Sequence, residues 1–287
     1  MALGSGAPWP DRLRGVTTTV AACRADSPTG CAAHTRLYRG GQLVSAGFPV
    51  TEISDHLDVP GSVIWLDLLQ PSVQDMEVLV DEFGLHPLAI EDALHEHQRA
   101  KLDRYSDHDF LAAYAVRVCD GAEGLLETGE LAAFITPQAL VTVRKDELLE
   151  LGPLVDLWDS NPGLAPSGVV FLVHGLLDHL VDGHAAAVDI LSDESDQLED
   201  LLFDGSPSGE LQRRTFALRK ALSHLRRAVV PMREVLGTPM RHGGGIVDER
   251  MGPYLRDVDD HIQLAASDID ALLKAAIAFG EARSQSI

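Results

Sequence analysis

Several short runs in this sequence carry side chains that could do chemistry, and each implies a geometry. His95 and His97 form an H-x-H pair inside HPLAIEDALHEH, 86–97. On a helix, positions i and i+2 point about 200° apart, so one face cannot offer both rings to one metal, and the pair reads as solvated. The acidic run DILSDESDQLED, 189–200, lacks the glycine that an EF-hand loop needs for its turn and reads as the charged face of a continuous helix. GSPSG, 205–209, has Pro207 where a nucleophile elbow needs serine and no strand before it, so it reads as a helix-to-helix turn. GGG, 243–245, lacks the G-x-G-x-x-G spacing, which removes dinucleotide binding.

What remains is an excess of carboxylate. Asp and Glu number 44 against 23 Lys and Arg, a formal net charge of −21. Such a surface repels nucleic-acid phosphates and anionic lipid, and it attracts cations, although excess carboxylate commonly serves only solubility. The 287 residues are 45% hydrophobic and 23% charged, enough for a substantial core. Cys23, Cys31 and Cys119 show no C-x-x-C spacing, so neither a disulfide framework nor a zinc ribbon is expected, and a reducing, cytosolic setting fits. The N-terminal MALGSGAPWPDRLRG has no apolar core of the secretory kind. A membrane span needs about 20 apolar residues. Asn161 to Leu177 is broken by Pro162, Gly163, Pro166 and Gly168, so the chain as given is expected to be soluble.

The elements that must position these carboxylates fall into two halves. After an unpatterned extension, RLYR-GG-QLV reads as two strands about a Gly-Gly turn and SVIWLDL, 62–68, as a buried strand. Helical patterns follow at Pro71–Gly84 and over 86–97 with Pro87 in the first turn. FLAAYAVRV, ELAAFIT and ALVTVRK then predict an antiparallel meander. From about Pro166 three long helices are expected, roughly 167–203, 208–238 and 248–282, broken at DGSPSG and around Pro239 to Gly245. The first is acidic and the second basic, as an antiparallel pair joined by weak surface ion pairs would be. In the third, Leu255, Ile262, Ile269 and Ala276 form an a series with Val258, Ala265 and Leu272 at d, a heptad seam that predicts a supercoil of several helices about a symmetry axis.

The segment Trp65 to Val116, with FGLHPLAIED followed by QRAKLDRY, closely resembles the CorA family of magnesium and cobalt channels, with Ala100 where proline is common. PMREVL, 231–236, and PYLRDVDDH, 253–261, extend the resemblance in the expected order, so it runs from about residue 33 to the end. It implies an α/β fold: an α/β/α sandwich with a mixed, largely antiparallel sheet, followed by long helices including a C-terminal stalk helix. The expected organisation is a variable extension over 1–32, a cytoplasmic α/β/α regulatory domain with two long helices over 33–246, and the start of a stalk over 247–287. The family's Gly-Met-Asn pore signature is absent and the chain ends at ARSQSI, so a piece truncated before the membrane segments is expected.

The resemblance also implies a site. Glu91 and Asp92 match one subunit's carboxylates, Asp257 the neighbouring stalk's, and Asp178 a supporting one. Such sparse oxygen ligands suit Mg2+, which keeps much of its water; Co2+, Ni2+ or Zn2+ are the other expected ions. The implied function is divalent-cation sensing by a homo-oligomer, pentameric when full length and set in the cell's inner membrane, with no nucleic-acid partner and no enzymatic activity. Intersubunit carboxylates neutralised by the ion would hold subunits together, and their repulsion would loosen the ring when it leaves. Three rivals are a zinc-transporting relative, a two-metal hydrolase using Asp92, Glu91 and Asp178, and a structural oligomerisation module.

Overall fold

The computed structural model describes residues 30–121, 124–203, 208–237 and 250–284. Cys23, most of the 1–32 extension, most of the DGSPSG turn and nearly all of the break around Pro239–Gly245 lie outside the described residues.

Alternating apolar residues build a seven-stranded sheet from β1 (Ala32–Arg39), β2 (Gln42–Ala46), β3 (Ser62–Leu69), β4 (Lys101–Arg104), β5 (Asp109–Gly121), β6 (Gly124–Ile135) and β7 (Ala139–Arg144), in the order β2-β1-β3-β7-β6-β5-β4. Only β3 and β7 run parallel, so the mixed, largely antiparallel sheet expected from the sequence is present. Gly40 and Gly41, both at positive φ, make the tight turn that joins β1 to β2. The period-two pattern gives each strand two apolar faces: Ile64, Leu66 and Leu68 enter one core and Trp65 the other.

Three short helices cover one face: α1 (Ile53–Leu57), α2 (Val73–Phe83) and α3 (Pro87–Leu94). A capping box between Ser72 and Asp75 starts α2, and Gly84 in the left-handed conformation ends it. The other face carries α4 (Leu151–Ser160), which the sequence reading left unassigned, and the long helices α5 (Val169–Phe203), α6 (Ser208–Leu236) and α7 (Gly252–Ser284). Trp158 of α4 packs edge-on against Trp65 with ring centroids 4.8 Å apart, and a Cβ at Gly175 of α5 would collide with its indole. Glycine at 175 is therefore a packing requirement.

Two expectations change. The heptad seam of α7 is spent inside the chain: Met251, Leu255, Val258, Ile262, Ala265 and Ile269 are buried in the core shared with α5 and α6. A near-3.5 repeat serves a three-helix packing within one subunit as well as a supercoil between subunits, because both need a straight apolar stripe. The charge-paired α5–α6 contact reduces to a bidentate pair, Arg214 to Glu194 at 2.8 and 2.7 Å, while Arg226 turns instead to Asp270 of α7 at 2.9 Å.

Asp67 and Arg144 are both buried on the α4–α7 side of the sheet. Arg144 Nε lies 3.0 and 3.1 Å from the two Asp67 carboxylate oxygens, and its Nη2 is 2.8 Å from Oδ2. The Thr142 hydroxyl donates to Asp67 at 2.7 Å and accepts from the Trp65 indole at 3.1 Å. With Arg144 Nη1 donating to the Leu149 carbonyl at 3.3 Å, each carboxylate oxygen and each guanidinium nitrogen has a partner, which is the condition under which a buried pair is tolerated. Asp67→Ala, stranding the guanidinium, is expected to cost about 3–5 kcal/mol in urea denaturation, whereas Asp67→Leu with Arg144→Met should recover most of that loss.

His184 is fully buried on α5, with Nε2 2.8 Å from the Tyr114 carbonyl and Nδ1 unpartnered. A carbonyl only accepts, so Nε2 carries the proton and the ring is neutral; burial pushes its pKa down to about 4, against the hydrogen bond to Tyr114, which raises it. Above about pH 6.5 the ring is neutral folded and unfolded, and stability is complete. As pH falls toward 4 the unfolded chain takes a proton that the folded chain refuses, which removes roughly 3 kcal/mol. His184→Gln keeps a donor for Tyr114 without titrating, so its melting temperature, compared with the parent's, should fall less steeply between pH 6.5 and 4.5.

Candidate metal site

Helix α3 is positioned by His86, whose side chain accepts from the Leu88 N–H at 3.2 Å, and by Pro87 in the first turn. Ala89 and Ala93 are buried against the sheet, which leaves Glu91 exposed and turns Asp92 toward the edge strand β4. There Lys101 Nζ stands 2.6 Å from Asp92 Oδ2 and 2.6 Å from Asp103 Oδ2, so one ammonium bridges two carboxylates. Partial burial disfavours the charge on Lys101, but the bonds to Asp103 and Asp92 outweigh it and raise its pKa. Lys101 and Asp103 were not singled out by the sequence reading. Their signal is the i, i+2 spacing within KLDRY, which puts both on one face of a strand.

The H-x-H pair is not helical. Helix α3 ends at Leu94, and His95 leaves it in an extended conformation with its N–H on the Glu91 carbonyl at 3.0 Å. His97 follows at φ 67°, with its N–H donated to Glu130. The polar sequence HEHQ has no apolar residue to bury, so it turns away from the sheet rather than adding a turn of helix.

Asp178 and Asp257 are brought together on the opposite face, where α5 meets α7. His174, one turn before Asp178, is the shared neighbour: its ring meets Tyr254 edge-on at 5.6 Å and feels both carboxylates. Burial lowers its pKa, and Asp178 and Asp257 oppose that shift. Asp178 is half-buried and Asp257 exposed.

The four carboxylates therefore form two pairs on opposite layers, Glu91 with Asp92 and Asp178 with Asp257. Among the described residues, no three His, Cys, Asp or Glu side chains gather closely enough to hold a metal ion. A two-metal hydrolytic centre built from Glu91, Asp92 and Asp178 within one chain is not assembled, because α3 and α5 lie on opposite faces of the sheet. No helix among the described residues is long and apolar enough to cross a membrane.

Comparison with known proteins gives consistent results. The sequence profile described as CorA-like Mg2+ transporter protein matches residues 60–281. The cobalt/magnesium transport protein CorA of Thermotoga maritima is 29% identical over 204 residues, covering 70% of this chain and 58% of that protein. The chain thus spans less than two thirds of that relative's length. The soluble domain of CorA from Methanocaldococcus jannaschii superposes with a TM-score of 0.72 at 20% identity, covering 88% of this chain and 96% of that one. The complete CorA magnesium transporter of the same organism gives 0.71 at 18% identity, covering 87% and 75%.

The placement of Asp257 beside His174 has a direct spectroscopic consequence. Asp257→Asn removes one of two charges that favour the imidazolium, so the His174 pKa read from an NMR titration of its ring protons should fall further below 6.5.

Proposed function

The chain belongs to the CorA-like Mg2+ transporter family, and we propose that it is the cytoplasmic, divalent-cation-sensing part of such a transporter, regulating transport through self-association rather than catalysing a reaction. Glu91 and Asp92 of one copy face Asp257, supported by Asp178, of the next, and the ion held between them is Mg2+, with Co2+, Ni2+ or Zn2+ as competitors. The full-length assembly is a pentamer in the inner membrane, with this portion facing the cytoplasm.

The observation that carries this reading is the division of the carboxylates between two layers. Each half-site is too sparse to hold an ion alone, and α3 and α7 of one chain are kept apart by the sheet. A second copy would bring exposed Asp257 to half-buried Asp92 without distorting either core. All four side chains offer oxygen only, which suits a hard cation that retains water and needs one or two carboxylates. The outer face of α7 agrees with self-association. Asp257 begins a stripe at seven-residue intervals, Asp257, Leu264, Ala271 and Ala278, all exposed, in which only the first member is polar. Small residues on such a stripe permit close approach of helices.

Asp92 carries its own counter-ion in Lys101, so the cation at this corner replaces or joins an ammonium and affinity is held low. Weak affinity is what a sensor of an abundant ion requires. Emptied of cation, Asp92 and Asp257 repel across the boundary and favour a looser ring; occupied, they favour the closed one.

Mass measurement in solution with Mg2+ and with chelator tests the reading together with calorimetry. Self-association that rises with Mg2+, and a loss of at least about tenfold in Mg2+ affinity in Asp92→Asn with Asp257→Asn, are expected. Association indifferent to Mg2+ would instead mark a purely structural module.

A further inference from the structure

A cavity of about 900 Å3 opens between α6, strands β5 and β6, and the segment 97–99, and its chemistry is the reverse of the chain's. The chain carries −21, yet Arg99, Arg226 and Arg227 line this cavity with His97 and His224, and no described Asp or Glu does. Glu234 pairs with Arg99 at 3.1 Å and Asp270 with Arg226 at 2.9 Å, and Glu130 lies behind the wall, 3.3 Å from both His97 Nδ1 and the Tyr114 hydroxyl. Arg227 is exposed and makes no hydrogen bond or ion pair with any described residue. Arg227 is thus the lining guanidinium left without a counter-charge among the described residues, and a bound anion would supply one. The rest of the wall is apolar: Ala228 and Pro231 are buried there, Val230 and Leu273 half-buried, and Tyr114 adds an aromatic ring.

We infer that this cavity binds a phosphorylated small molecule with a planar or apolar part, and that a nucleoside triphosphate is the class that fits. Guanidinium groups meet phosphate oxygens through paired, charge-assisted hydrogen bonds, which favours arginine over lysine at such positions. The volume lies within the range of small-molecule sites, about 300–1,000 Å3, and leaves room for a base against Tyr114, Pro231 and Leu273 beside the phosphates. A nucleic acid would have to approach across the acidic remainder of the surface, so the same arginines do not argue for a polymer. Inorganic phosphate would satisfy the arginines but leave the apolar wall uncovered.

Titration calorimetry of the 287-residue chain in metal-free buffer, with ATP, pyrophosphate and adenosine as separate ligands, tests the assignment. Saturable ATP binding, weaker pyrophosphate binding and no adenosine binding at the same concentrations are expected, with ATP affinity at least about tenfold lower in Arg227→Glu. Because Arg227 is exposed and unpaired among the described residues, that variant should melt as the parent does; Arg99→Ala, with a smaller loss, provides a second reading. Absence of saturable ATP heat, equal affinity in parent and Arg227→Glu, or adenosine binding as tightly as ATP would each overturn the inference. So would self-association that changes in Arg227→Glu while neither phosphate compound binds, which would make the cavity a contact between subunits.

Discussion

The parallel pairing of β3 with β7 rests on a salt bridge that the core could not accept in any other register. Asp67 and Arg144 are both excluded from water, and each is tolerable only because the other, with the Thr142 hydroxyl on Asp67 and the Leu149 carbonyl on Arg144, satisfies its hydrogen-bonding groups. Slipping β7 by one residue would swing Arg144 into the apolar cluster of Leu66, Leu68 and Val141 and leave Asp67 charged and alone. The parallel pair is also the point at which the chain must cross over, so its register fixes everything threaded between: α2, α3, β4, β5 and β6. An apolar pair of strands would tolerate slippage far better.

From that anchor the antiparallel strands extend outward to β4, and the two carboxylate pairs inherit their positions from opposite faces of one sheet. Asp92 is placed by the burial of Ala89 and Ala93 and met by Lys101 from β4. Asp257 is placed by the apolar stripe of α7 against α5 and α6. Neither placement depends on a loop. Side chains held by packed elements keep fixed separations, so an ion held as proposed would act on how copies meet rather than on the internal shape of one. The basic cavity lies off the same sheet edge, with Arg99 two residues from Lys101, so one short segment borders both features.

Much of this was legible in the sequence, because local patterns dominate there. The Gly-Gly hairpin, the strand at 62–68, the meander and the long helices follow from periodicity and turn residues, whereas the candidate carboxylates rest on motif resemblance alone. The rest involves partners distant in sequence. Within SVIWLDL nothing marks Asp67 as half of an ion pair, because Arg144 lies 77 positions later. Lys101 appeared as part of a motif, not as the counter-ion of Asp92. The α7 seam gave the right residues for burial but the wrong audience, because a heptad stripe does not say whether its partner helices belong to the same chain. Helix α3 stops at Leu94, three residues short of the 86–97 pattern, since HEHQ carries no signal that distinguishes a polar helix turn from a departure into a loop.

The alternation of Lys101, Asp103 and Arg104 along β4 has a further effect. β4 is the last strand of the sheet, and its outer row of backbone N–H and C=O groups is a template on which another extended chain could pair. A short strand studded with both signs of charge is hard to extend, since an incoming strand would have to desolvate an ammonium and two carboxylates at once. The residues that steady Asp92 thus also act as gatekeepers against sheet-to-sheet aggregation, a hazard that grows when copies of a protein are held side by side.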